Sequence, residues 1–229
     1  MNLYTKYAEE FSKTRNTIWE GWTKLLTHIL LIDNLNVLDI GCGNGRFIRF
    51  LVDNNVKFNS YLGVDYSKEL LKIAEYNYTL NPNVKFSTIN LLKNWDEKIK
   101  KLPKFNLIVA FGVTHHLETA ESRELFFKTI SQILDRSGYI ILSFWKFKEN
   151  ENLFQTATLI SSNLYKLKFG KNATRICYDF EESEILQLIE KNSLEIIERY
   201  FADSKNNRGN KYFVLKLNEN TKLSEQEPE

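Results

Sequence analysis

The sequence predicts an α/β domain: a seven-stranded, mostly parallel, doubly wound sheet with an antiparallel C-terminal strand pair and an N-terminal helical segment. Three observations lead there. Short apolar runs suited to buried strands alternate with segments whose apolar residues recur at helical spacing. The links between them are short, as in a parallel sheet covered on both faces. The chain has 229 residues, 43% of them hydrophobic and 26% charged, which is the size and balance of one globular domain.

Composition also excludes several classes. No run approaches the roughly 18–20 apolar residues needed to cross a bilayer, so no membrane partner is expected. The opening residues lack the apolar core of a signal peptide, and a cytoplasmic protein is expected. Cys42 and Cys177 make neither a disulfide framework nor a zinc cage by themselves, so no metal is expected. Thirty-one basic residues against 29 acidic ones give a net charge of +2, far from that of an obvious nucleic-acid binder.

In chain order, residues 4–32 carry an amphipathic helical pattern, interrupted near residues 12–16, and form an N-terminal cap over residues 1–35. Residues 36–40 read as a buried strand closing on Gly41, with a helix over 45–54. A second strand spans 60–65, and Ser67 caps a helix that ends before Asn81-Pro82-Asn83. Strand 84–89, short helix 95–101, strand 105–111, helix 120–134 and strand 139–145 continue the alternation. Residues 146–180 form an irregular or helical insertion able to cover a substrate mouth, with a helix following over 181–191. Strands 194–201 and 211–217 complete a single domain over 1–217, and residues 218–229 read as a disordered acidic tail.

The sharpest local signal is Val37-Leu38-Asp39-Ile40-Gly41-Cys42-Gly43-Asn44-Gly45-Arg46, at a strand-to-helix turn on the carboxyl edge where open parallel sheets bind ligands. Gly41, Gly43 and Gly45 let the backbone approach a ligand closely. Asp65 ends the next strand and can accept both hydroxyls of a ribose. A dinucleotide fingerprint has its third glycine where Arg46 stands. Asp39 beside the turn repels pyrophosphate and suits the ammonium of an amino-acid-bearing nucleoside, S-adenosylmethionine.

These residues resemble the class I S-adenosylmethionine-dependent methyltransferases, whose domain is Rossmann-like, over nearly the whole chain. The resemblance implies that Asp39 and the backbone of Gly41, Gly43 and Gly45 hold the methionine half of the cofactor, with Tyr7 and Arg15 nearby. It implies Asp65 at the ribose, Tyr66 beside the adenine, Asn90-Leu91 at the adenine amino group, and Phe111-Gly112 past the sulfonium. No metal is implied.

Further segments resemble the tRNA wobble-uridine carboxymethyl methyltransferases: Tyr7 to Arg15 with Trp19, Val113-Thr114-His115-His116-Leu117, Trp145, Arg175 to Glu184, and Gly209-Asn210-Lys211-Tyr212-Phe213. The implied reaction is methyl ester formation on 5-carboxymethyluridine, with the tRNA anticodon loop as partner. Departures are Tyr178, Asn106 and Arg136-Ser137-Gly138, where the subfamily often has histidine, aspartate and Pro-Gly-Gly. A free carboxylate, with a pKa near 4, is already the nucleophile at neutral pH. It needs orientation at roughly 3–3.5 Å from the methyl group, not a strong base. The candidate catalytic set is Arg15 and Arg175 as a clamp, His115 and His116 assisting, and Tyr178 at the substrate.

Each has another reading. Arg15 serves cofactor or substrate, or forms a surface salt bridge. The histidines pack and cap the turn, and Arg175 is a solvated loop charge. Trp19 and Trp22 pack a helix or stack a base. Lys166, Lys168, Lys171 and Arg175, interleaved with Tyr165, Phe169 and Tyr178, suit an RNA loop or reflect lysine-rich composition. Relatives of the tRNA type work with a small zinc-binding activator on a sheet edge, here expected along residues 84–89 with Phe86 and Ile89 available. A small-molecule methyltransferase acting on an acid, amine or phenol is the alternative enzyme, and a cofactor-sensing module the alternative without chemistry.

Overall fold

A computed structural model describes residues 8, 12, 17–93, 95–170, 173–204, 206 and 208–218. Tyr7, Arg15, Lys171 and the tail from 219 onward lie outside the described residues.

Helix α1 (Gly21–Ile29) precedes strand β1 (Asn36–Ile40), and α2 (Arg46–Asp53) follows the glycine loop. Strand β2 (Ser60–Asp65), helix α3 (Lys68–Tyr78) and strand β3 (Val84–Thr88) come next. Then follow α4 (Trp95–Ile99), β4 (Phe105–Ala110), a 3-10 turn at Thr114–His116, α5 (Ala120–Ile133) and β5 (Leu134–Trp145). Beyond a 3-10 turn (Phe147–Glu149) and the short α6 (Glu151–Phe154) lie β6 (Thr158–Ser161), β7 (Leu164–Phe169) and β8 (Ala173–Tyr178). Helix α7 (Glu182–Lys191) and strands β9 (Leu194–Ala202) and β10 (Asn210–Leu217) complete the described chain.

The main sheet has seven strands in the order β3-β2-β1-β4-β5-β10-β9. Neighbours from β3 to β5 pair in parallel, and β10 lies antiparallel between β5 and β9. Successive side chains of a strand point to opposite faces, and the core divides accordingly. Leu38, Ile108, Ile140 and Phe213 join the cluster under α4, α5 and α7. Val37, Leu107, Ile141 and Tyr212 join the cluster under α1 and α2. Burial on both faces is why the central strands read as continuous apolar runs.

Local chemistry sets several boundaries. The Ser67 hydroxyl accepts from Leu70 N–H and caps α3. At α5, Thr119 and Ser122 bond reciprocally as a capping box. The expected strand 139–145 begins earlier, at Leu134, which pairs with Phe105 before the register shifts.

The largest departure from expectation lies after β5. Residues 158–178 form a three-stranded antiparallel sheet, β6-β7-β8, instead of an irregular or helical stretch. The physical reason is a period of two: in β7, Lys166 and Lys168 are exposed and Leu167 between them is fully buried. Asn163 and Gly170, both with positive φ, make the turns that reverse the chain. Leu167 and Cys177 pack on Phe147, and Trp145 flanks them, so this lid sheet seats on the end of β5 through its own small core.

Candidate active site

The cavity opens at the carboxyl edge of the parallel strands and has a volume of about 700 Å³. Its floor is the turn after β1. The N–H groups of Gly41 and Cys42 both donate to Val64 O, at 2.7 and 3.1 Å, tying the turn to β2. Gly41 has φ +73°, and a Cβ there would stand 1.9 Å from Val113 Cγ2. Gly43 has φ +57°, and an added Cβ would meet no described atom within 4 Å. That free space is the cavity, which Gly43 lines.

Asp65 closes the turn. Gly43 N–H donates to its Oδ2 at 2.9 Å and Ser67 N–H to its Oδ1 at 2.8 Å. Burial raises the carboxyl pKa, while these backbone bonds pull the other way. A carboxylate has about four acceptor sites, so lone pairs remain for ligand hydroxyls. Tyr66, Asn90 and Leu91 line the adjoining wall, with Tyr66 47% exposed. Asn90 Oδ1 also accepts from Leu92 N–H at 2.9 Å, which fixes its loop.

Two residues expected at the cofactor stand behind the cavity wall. Asp39 is 2% exposed and is not in the cavity wall; its carboxylate accepts from the Tyr61 hydroxyl beneath the turn. Burial raises its pKa to about 7, against the lowering effect of the Tyr61 bond. Asp39 thus supports the turn from below. Gly45 also lies outside the wall; with φ +78° it is the left-handed residue that starts α2.

The opposite wall comes from the end of β4. Phe111 and Gly112 line it, and Gly112 N–H donates to Ser143 Oγ at 3.0 Å. Thr114 Oγ1 donates to Ser143 O at 2.9 Å, fixing the 3-10 turn that carries the histidines. His115 and His116 both reach the cavity, their ring centroids 4.1 Å apart. Burial, then the neighbouring His116 and Arg175, hold His115 well below the ordinary imidazole range. Burial and Arg175 bring His116 down to about 4, against a hydrogen bond with the Ile176 backbone. Both rings are neutral at pH 7.

Arg175, from lid strand β8, completes this end. Its guanidinium lies 4.3 Å from the Trp145 ring centroid and 5.3 Å from that of Phe169, within cation–π range. Tyr178 does not join it. Three residues along β8, it faces the other way: its hydroxyl donates to Glu184 Oε2 at 2.9 Å, and its ring lies 3.7 Å from the Arg123 guanidinium carbon. Arg123 also bonds Glu184 Oε1 at 2.6 Å and the carbonyls of Leu117 and Glu118 at 3.1 and 3.0 Å. Tyr178 therefore anchors the lid to α5 and α7 and does not touch the cavity.

Asp203 on the wall escaped the sequence reading, and Trp19 and Arg46 were read without a contact between them. Trp19 lies beneath Arg46, whose guanidinium is 4.8 Å from its ring, while Trp22 is fully buried core. Asp203 accepts from Gly21 N–H at 3.0 Å, Asn210 Nδ2 at 2.8 Å and Tyr212 Oη at 2.6 Å, joining the start of α1 to β10 at the cavity rim. No local signal marked these, because the contacts from Arg46 to Trp19 and from Gly21 to Asp203 form only in the folded chain. Ile89, expected on the open sheet edge, is 6% exposed and belongs to the core.

A family model described as a methyltransferase domain matches residues 38–140. The tRNA U34 carboxymethyltransferase of Ruthia magnifica subsp. Calyptogena magnifica is 28% identical over 131 residues, covering 54% of this chain and 38% of that protein. A crystal structure of an S-adenosylmethionine-dependent methyltransferase from Clostridium acetobutylicum has a TM-score of 0.69 at 17% identity, covering 94% of this chain and 99% of that one. A chain in the complex between the Haloferax volcanii Trm112 methyltransferase activator and a methyltransferase gives 0.67 at 14% identity, covering 93% and 95%. The chain spans only 55% and 60% of the first two curated relatives it matches.

The fold is the one shared with solved S-adenosylmethionine-dependent methyltransferases, whose cofactor is S-adenosylmethionine. The residues present fit that group. The side of Gly43 open to the cavity admits its backbone-bound half, and Asp65 keeps lone pairs for a ribose.

Proposed function

We propose that the chain methylates the carboxylate of a small acceptor bound between Arg175, Trp145 and the histidine pair. The observation that carries this reading is a guanidinium on the cavity wall beside two neutral imidazoles. S-Adenosylmethionine supplies an electrophilic methyl group when bound. A carboxylate is already ionised at neutral pH and needs no base. The histidines agree with that: a ring held near pKa 4 is a poor general base at pH 7. Arg175 orients the acid, Trp145 limits how the guanidinium can turn, and the lid excludes water from the acceptor end.

A second reading, esterification of 5-carboxymethyluridine at a tRNA wobble position, draws on a specific observation. The chain is similar to tRNA U34 carboxymethyltransferases at 26% and 28% identity, and Lys166 and Lys168 are exposed on the lid. An activator on the β3 edge belongs with this reading; its support is the open edge and the likeness to a chain from an activator complex.

Incubation with labelled S-adenosylmethionine, bulk tRNA and, separately, a pool of metabolite acids tests both readings. Base-labile label in the acid pool, unaffected by salt, is expected. Label on a wobble nucleoside, with turnover falling steeply as salt rises, selects the tRNA reading instead. Cofactor binding without turnover on either sinks both. For Arg175→Ala, turnover should fall about 10²–10³-fold with cofactor affinity within a few-fold. Equal loss of both removes the acceptor role.

A further inference from the structure

We propose that His115, His116 and Cys177 form a three-ligand site for a zinc-class ion at the acceptor end of the cavity. The turn after β4 supplies the two histidines and lid strand β8 supplies the cysteine, so only the folded lid assembles the set. One ligand atom from each residue lies within 4.8 Å of the others. Tetrahedral zinc holds nitrogen and sulfur at about 2.0–2.3 Å, which separates its ligand atoms by roughly 3.3–3.8 Å. The observed spacing closes to that with side-chain shifts of about 1 Å.

A second observation points to a ligand independently of the spacing. Both ring nitrogens of His115 are buried without a hydrogen-bond partner among the described residues, and the side chain is on the cavity wall. Buried polar atoms of that kind are rare and costly unless something binds them. His116 is bonded to the Ile176 backbone, the outer-shell contact that orients a metal-binding imidazole. Cys177 is fully buried in the lid's small core, with its sulfur at the seam between lid and turn.

The charges facing the cluster are of both signs. Arg175 acts on all three residues, and Glu118, which also lines the cavity, acts on Cys177. Cys177 coordinates as thiolate, its proton passing to solvent, and that negative charge sits beside Arg175. Three protein ligands leave one position of a tetrahedral ion open, as in catalytic zinc sites. Its use by an acceptor oxygen or sulfur rests on the methyl-transfer reading above; the ion site itself does not.

The full-length chain, stripped with a chelator, is titrated with Co²⁺ and then challenged with Zn²⁺. One equivalent of Co²⁺ with a near-ultraviolet thiolate-to-metal band, displaced by Zn²⁺, is expected. Cys177→Ser should lose the band and bind at least about 10-fold more weakly, His115→Ala should weaken binding likewise, and Cys42→Ser should keep both. Failure of the folded chain to bind either ion overturns the proposal. So does a spectrum unchanged by Cys177→Ser. Should that variant not fold, the native chain decides: excess Zn²⁺ must raise its melting temperature, and an unchanged melt is the overturning result. Calorimetry with S-adenosylhomocysteine on the same sample separates the readings. Cofactor binding without metal leaves the transferase standing, and metal binding without cofactor leaves only the ion site.

Discussion

Asp39 keeps a carboxyl group beneath the glycine turn, where burial raises its pKa from 3.8 to about 7. The folded chain therefore holds this proton more tightly than the unfolded chain. The linked stability is fully present below pH 4 and is lost as pH rises through about 7. His115 and His116, with lowered values, act in the opposite sense as pH falls below the ordinary imidazole range. Comparison with Asp39→Asn isolates the carboxylate. Urea midpoints of the native chain should fall relative to the variant between pH 5 and 8, and a constant offset would show that Asp39 does not titrate there. Asp65 is a different case, with two backbone donors and cavity exposure. Charged hydrogen bonds of this type are worth about 1.5–3 kcal/mol, so Asp65→Ala should weaken S-adenosylmethionine binding roughly 10–100-fold in calorimetry. An unchanged affinity would assign Asp65 to the turn alone.

At the level of elements, the turn after β1 tolerates little change. A Cβ on Gly41 collides with Val113 and imposes a left-handed φ on alanine. Gly41→Ala should lower stability by about 2 kcal/mol or more and abolish cofactor binding, read by thermal melting and calorimetry. This turn was legible in the sequence because its glycines and both acids lie within one strand–loop–helix–strand unit. The parallel strands were legible too, since burial on both faces leaves unbroken apolar runs. The lid was not: its strands are four to six residues long, too short for the alternation of Lys166, Leu167 and Lys168 to stand out from a lysine-rich sequence. The bond from Tyr61 to Asp39 was not legible because Tyr61 sits on the neighbouring strand. Trp19, Arg46 and Asp203 reach the cavity only through tertiary folding, and no local pattern announces that. Tyr178 shares β8 with Arg175, but strand alternation sends it to Arg123 and Glu184.

For the whole molecule, cofactor binding couples to stability because the cavity joins β1, β2, β4, the lid and the segment before β10. A ligand at 100 times its dissociation constant adds about 2.7 kcal/mol. For a chain of this size that corresponds to a rise of roughly 5–10 °C in melting temperature. S-Adenosylhomocysteine should produce it, and a nicotinamide dinucleotide should not; the reverse pattern would overturn the cofactor assignment.

The separate hydrophobic seat of the lid, Phe147 with Leu167 and Cys177, has a consequence for the diversification of such enzymes. A hairpin-and-strand module with its own miniature interior can be exchanged between relatives that also keep partners such as Arg123 and Glu184 for the anchoring Tyr178. Donor chemistry and acceptor preference are then inherited on different pieces of chain. Grafting residues 146–180 onto another sheet of this topology should carry Arg175 with them, and the preference only where a tryptophan and a histidine pair already stand as Trp145, His115 and His116 do here.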